Sequence, residues 1–110
     1  MQMDLYTELQ EKTRELDVSI KQLRVSGTKY AEAERDYKIL LREECLKLRD
    51  AGTAIGMINM TAYGIPCVAE ARFERDVAET IYKANLEAIN SIKLQMRLIE
   101  SQLQRDWGAS

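Results

Sequence analysis

Leu9, Leu16, Leu23, Tyr30 and Tyr37 recur at seven-residue intervals, and Tyr6, Thr13, Ile20, Gly27, Glu34, Leu41 and Leu48 fall three residues before or four after them. A seven-residue apolar repeat carried from about residue 5 to residue 49 specifies a long helix lying against another helix. A second run follows a short break. Tyr82, Ile89, Met96 and Leu103 form one of its rows and Ala78, Asn85, Ile92 and Ile99 the other. The pattern therefore predicts two long helices over about 4–50 and 68–106, joined by a connector over 51–67, in one helical domain spanning 1–110.

Local residues agree with those limits. Asp4 can accept from the orphan amides of a helix start, and Gly52 can take the left-handed conformation that closes a helix end. Ser26-Gly27 is the weak point of the first helix, because an interior Gly costs about 1 kcal/mol relative to Ala, and a bend or break is expected there. Pro66 suits the opening of the second helix. Its far end reaches Trp107, which is expected to fold back onto the apolar seam. The connector, Thr53 to Ile65, is too apolar for a solvated loop and reads as a short helix capped by Thr53 and stopped at Gly64.

Folding the two runs into an antiparallel coiled-coil hairpin about the middle of the connector pairs Leu48 with Ala71, Leu41 with Ala78 and Tyr37 with Tyr82. The same register sets Tyr30 against Ile89, Gly27 against Ile92, Leu23 against Met96, Ile20 against Ile99 and Leu16 against Leu103. It also sets Glu34 beside Asn85 and Glu44 beside Arg75, so polar interruptions of the two repeats meet and would fix the register. The fold class is all-α.

One stripe of each helix closes such a hairpin, and apolar residues are left over. Val18, Val25, Ile39 and Leu46 share the heptad position opposite the seam, interrupted by Glu32, and Phe73, Val77, Leu94 and Leu98 lie off the seam of the second helix. Unpartnered apolar rows on a long thin hairpin mark another helix or another subunit. Val18, Val25, Ile39 and Leu46 are accordingly the expected interface of a homo-oligomer. Arg14, Lys21, Arg35, Arg42 and Arg49 share a further position, broken only by Thr28, which spaces basic groups about 10 Å apart along the helix. An oligomer could multiply them into a track for single-stranded DNA. The competing reading is a solvated face with helix ion pairs such as Asp17–Lys21, Glu34–Lys38 and Glu43–Lys47. At the connector, Met57, Ile58, Met60 and Tyr63 form an adaptable apolar tip of the kind that fits partner surfaces. Packing back onto Phe73 and Val77 would use the same residues.

Composition narrows the chemistry. The 110 residues are 45% hydrophobic and 31% charged, with a net charge of −2, so no overall field draws the chain to nucleic acid or membrane. There is no histidine, and the two cysteines, Cys45 and Cys67, are far apart in sequence. Zinc ligation, a histidine-based acid–base pair and a disulfide framework find no support, and no cofactor or catalytic set is expected. No stretch approaches the ~20 apolar residues of a membrane span, and a cytosolic protein with no membrane partner is expected.

Four stretches carry a resemblance: Tyr30-Ala-Glu-Ala-Glu-Arg-Asp-Tyr37, Leu46-Lys-Leu-Arg-Asp-Ala-Gly52, Val68-Ala-Glu-Ala-Arg-Phe-Glu-Arg-Asp-Val-Ala78 and Tyr82-Lys-Ala-Asn-Leu-Glu-Ala-Ile89. Together they resemble a group of small helical proteins from the early or replication regions of temperate phages of Gram-positive bacteria, a group largely without assigned function. In helix order and patterning the chain is also similar to the UvsY family of recombination mediators, oligomeric helical proteins that load a recombinase on single-stranded DNA. The resemblance implies a non-enzymatic phage accessory protein, working in the host cytosol as a scaffold or mediator of DNA recombination or replication with single-stranded DNA or a recombination protein as partner. An inhibitor or adaptor of a host anti-phage defence protein is the alternative, and a plain structural coiled-coil module is a second one.

Overall fold

Heptad spacing commits the backbone to long helices. The computed structural model describes residues 2–108, and these form helices joined by short irregular segments, with no strand among them. Helix α1 runs Gln2–Asp50, a 3₁₀ turn covers Ile55–Met57, α2 is the short helix Ile58–Tyr63, and α3 runs Pro66–Gly108. The chain divides into two compact units, one made of Ser26–Tyr82 and the other of Met1–Val25 with Lys83–Ser110.

In the 26–82 unit, α1 ends as its sequence dictates. Gly52 adopts φ +90°, its amide donates to the Arg49 carbonyl, and the Thr53 amide reaches back to Leu48 at 3.0 Å. This six-to-one closure satisfies carbonyls that the last turn leaves open. Thr53 does not act as the cap expected of it. Ala54 precedes the 3₁₀ turn and Met57 precedes α2, both without a side-chain capping bond, while Gly64 terminates α2 as anticipated. Pro66 then takes the first position of α3, where its missing N–H costs nothing, and the Ala69 amide bonds to the Ile65 carbonyl at 2.9 Å.

The antiparallel arrangement holds within this unit, but its register differs from the expected one by a heptad. Tyr30 packs against Tyr82 rather than Ile89, with ring centroids 5.8 Å apart. Arg75 lies over Tyr37, 4.7 Å from the ring centroid, where Tyr82 was expected. Glu34 is bonded by Arg75, not set beside Asn85, and Glu44 binds Lys47 at 3.1 Å instead of Arg75. The cause is the connector. Asn59 of α2 already sits beside Cys45 of α1, so the chain is on its return path from Ile58 onward rather than from Pro66. Ala62 and Val68 are fully buried there. Seven-residue repeats look the same after a shift of seven, so only the turn and the individual contacts could choose between the two registers.

Ser26-Gly27 does not break α1, which is continuous through it. Ser26 is buried, and Gly27 leaves a notch for Tyr82: a Cβ on Gly27 would stand 3.2 Å from Cε1 of that ring. The glycine serves close approach between helices.

The other unit is simpler. Ile89 and Ile92 are its buried centre, and Leu9, Leu16, Ile20, Leu23, Met96, Ile99 and Leu103 are half-buried. Leu103 shares a groove with Leu9, again one heptad from its expected partner Leu16. Tyr6 and Thr13, the first members of their row, are exposed.

Candidate functional site

The outward face of α1 carries two of the three surfaces singled out in the sequence. Val18 and Val25, in the unit containing the chain ends, are 54% and 56% exposed, and Ile39 and Leu46, in the 26–82 unit, are 52% and 39% exposed. All four therefore stand off the seam, as the heptad argument required. Arg14, Lys21, Arg35, Arg42 and Arg49 are exposed as well. Arg35 bonds its neighbour Asp36 at 3.0 Å and Arg49 approaches Asp50 at 3.9 Å, whereas Arg14, Lys21 and Arg42 make no ion pair among the described residues. Of the expected helix pairs, Glu34–Lys38 forms at 3.5 Å. Lys47 turns to Glu44 rather than Glu43, and that hydrogen bond chiefly holds its ammonium above the ordinary lysine range.

The tip is open. Ile55 is 88% exposed, Met57, Met60 and Tyr63 are exposed, and Ile58 is half-buried. Arg72 lies over the Tyr63 ring, 5.7 Å from its centroid. Phe73 and Val77, the seat the tip would pack back onto, are both exposed. The helical spacing of α2 explains the division: Ala62 and Ile58 face inward, and Met60 and Tyr63 face out. Ile81, which sequence reading passed over, is also exposed and extends Phe73 and Val77 into a row at four-residue spacing.

A polar and aromatic cluster on the seam of the 26–82 unit was not anticipated as a set. The Tyr30 hydroxyl donates to Glu79 Oε2 at 2.5 Å. Arg75 donates through Nη1 to Glu34 Oε1 at 3.4 Å and through Nε to Asp76 Oδ1 at 2.8 Å. The bond to Glu79, helped by partial burial and by the charges of Glu79 and Glu34, pushes the Tyr30 phenol up to about 12. Gly27, Tyr30, Ala31, Glu34 and Tyr82 line a shallow cleft of about 420 Å³ beside this cluster. The Tyr30 hydroxyl, the Arg75 guanidinium and the Glu34, Asp76 and Glu79 carboxylates are each engaged by a neighbour on the opposite helix or their own. Such an arrangement can hold register. Among the described residues no group of three His, Cys, Asp or Glu side chains is placed to hold a metal ion, and no helix is long and apolar enough to cross a membrane.

In the other unit an open groove of about 500 Å³ is lined by Tyr6, Thr7, Leu9, Glu100, Leu103, Gln104 and Trp107. Trp107 edges this groove yet is 71% exposed, so it does not fold onto the seam as expected. The helix simply continues through it to Gly108, and a helical Trp107 is held on the outer wall. Aromatic residues near both chain ends were the available signal for this groove.

Comparison with protein-family models, with curated proteins and with solved structures finds no match.

Proposed function

We propose that this protein is a non-enzymatic phage accessory protein, an oligomeric scaffold in DNA recombination or replication that grips a recombination protein with its tip. The observation that carries this reading is the tip itself. Ile55 and Met60 are mostly in solvent and Met57 and Tyr63 are partly so, while Ala62 and Val68 are fully buried. Flexible Met side chains beside an aromatic ring adapt readily to a protein surface, and exposed apolar clusters of this kind are retained for contact. The resemblance to phage early-region proteins and to recombination mediators supplies the setting. The exposed apolar positions on α1 support self-association.

Single-stranded DNA along the basic row is the second reading, favoured by Arg14, Lys21 and Arg42, which make no ion pair among the described residues. Asp36, Glu43 and Asp50 flank the row and oppose it, so binding there is modest and falls steeply with salt. The two readings separate cleanly. Analytical ultracentrifugation with a purified phage single-strand annealing protein should show a complex that Ile55→Glu with Met60→Glu weakens tenfold or more. A labelled oligonucleotide should show only weak anisotropy changes that vanish at moderate salt. Tight oligonucleotide binding lost on Arg35→Glu with Arg42→Glu would replace the tip reading with the nucleic-acid one. A host defence protein bound through the same residues, with no affinity for the annealing protein, would move the function to defence inhibition.

A further inference from the structure

The exposed face of α1 in the 26–82 unit has an order that neither the apolar row nor the basic row shows alone. On a helix, residues i+3 and i−4 lie to one side of residue i, and residues i−3 and i+4 lie to the other. Around Ile39 the first side holds Arg42 and Arg35, and the second holds Asp36 and Glu43. Around Leu46 the first side holds Arg49 and Arg42, and the second holds Glu43 and Asp50. All of these residues are exposed. An apolar row thus runs between a purely basic border and a purely acidic one.

That order selects both an occupant and an orientation. Two identical helices meeting face to face in antiparallel fashion bring each border against its own copy, so Arg would face Arg and acid would face acid. Turned parallel about a two-fold axis, each basic border meets the acidic border of the other copy, as the flanking positions of parallel coiled coils do. The exposed row on α3 lacks this property: Phe73 has Glu70 to one side and Asp76 to the other.

Resting on the reading that the chain self-associates, we propose that two copies pair along Ile39 and Leu46 with their α1 helices parallel, Arg35, Arg42 and Arg49 of each lying against the partner's Asp36, Glu43 and Asp50. The bonds that Arg35 and Arg49 now make to Asp36 and Asp50 are exposed neighbours' contacts, worth little and readily exchanged for bonds across the pair. Glu32 takes the next place up the row and would meet its own copy, which confines the contact to residues 35–50. Parallel pairing sets the two tips at the same end of the pair, where they can grip one partner protein together. The basic row is then consumed in pairing rather than offered to phosphate.

Sedimentation and disulfide trapping test this on the full chain carrying Cys45→Ser and Cys67→Ser. At tens of micromolar and low salt the protein should be a dimer. Ile39→Cys and Leu46→Cys, each at an exposed position that leaves helix content intact by circular dichroism, should each cross-link to itself under mild oxidation. Cross-links that form only when the two variants are mixed would establish an antiparallel pair and overturn the proposal while leaving self-association standing. A dimer trapped by neither variant would place the interface elsewhere. A monomer at these concentrations would overturn self-association altogether. Arg35→Glu, Arg42→Glu and Arg49→Glu combined should weaken the dimer about tenfold or more. Mixing that variant with one carrying Asp36→Lys, Glu43→Lys and Asp50→Lys should restore pairing. An unchanged dissociation constant in the triple variant would overturn the role given to the borders.

Discussion

The two units solve the same packing problem with different side chains. The unit built from the chain ends joins its helices through Leu, Ile and Met, with Ile89 and Ile92 at the centre. The 26–82 unit joins its helices through a notch and a ring, Gly27 against Tyr82, and through pairs that occur once: Tyr30 with Glu79, Glu34 and Tyr37 with Arg75. Aliphatic contacts are non-directional and repeat every seven residues, so they stabilise a hairpin in several registers almost equally well. A notch that accepts one ring, or a hydrogen bond that reaches one carboxylate, is satisfied in a single register. Burial serves both units, and in the 26–82 unit the notch and the paired groups add uniqueness.

Deleting one seam side chain from each unit is the strongest way to break that distinction. Ile89→Ala removes a buried aliphatic group and should cost about 3 kcal/mol in urea unfolding, leaving hydrogen exchange within residues 26–82 close to wild type. Tyr82→Ala should cost about the same from a half-buried position, because it empties the notch and strips the neighbour from Tyr30. Its signature is different: exchange should rise along the facing stretches of α1 and α3 in that unit, as the helices lose the contact that forbids a slip of seven. Identical exchange profiles for the two variants would mean that register is not held where the distinction puts it.

The same contrast explains what the sequence disclosed. Both long helices, the Gly52 closure and the Pro66 start were legible, since they depend on local spacing and on backbone demands that single residues meet. Every seam position assigned to α3 is buried or half-buried, and so is every one on α1 except Tyr6 and Thr13 near the end. Register was not legible from the repeats, which are unchanged by a heptad shift. It turned on α2 joining the return path early, a tertiary fact about Asn59 and Cys45. Gly27 was misread for a related reason: as an isolated residue it is a helix weakener, and only the ring across from it makes it useful. Of the candidate surfaces, the outer row of α1 and the tip could be found because exposure follows from which face the seam takes. The Glu34–Arg75 pairing could not, because the repeats offered each residue a different partner, ten residues further along the opposite helix.

Gly27 offers a sharper test of whether uniqueness comes from shape. Gly27→Ala gains helix propensity of about 1 kcal/mol but brings Cβ to 3.2 Å from Cε1 of Tyr82, a ring that also packs against Tyr30. The two effects should nearly cancel, leaving a change within about 0.5 kcal/mol. Gly27→Leu cannot be accommodated by so small a shift and should cost about 2 kcal/mol, despite Leu being an excellent helix former. If Gly27→Leu is instead stabilising by thermal or urea unfolding, the notch is ordinary surface and the helix propensity scale alone governs the position.

Tyr30 gives the smallest effect, one that reports the hydrogen-bonded part of the lock without altering its packing. Its phenol is raised from about 10 to about 12, first by donating to Glu79. In the unfolded chain that bond is absent and the ordinary value returns. Since the folded state holds the proton more tightly, the contribution is fully present below pH 10 and is lost as pH rises from 10 toward 12. Lysines and other tyrosines titrate in the same range, so the informative quantity is the difference between wild type and Tyr30→Phe. That difference should be constant from neutral pH to about 9.5 and shrink above 10. Glu79→Gln keeps an oxygen that can accept from the phenol but removes the charge that disfavours phenolate, so its stability should fall less steeply over the same interval. A wild-type minus Tyr30→Phe difference that stays flat through pH 11 would show that the Tyr30–Glu79 bond contributes nothing to holding the 26–82 unit together, and would leave its lock to the ring contacts of Tyr82 and to Arg75 with Glu34 and Tyr37.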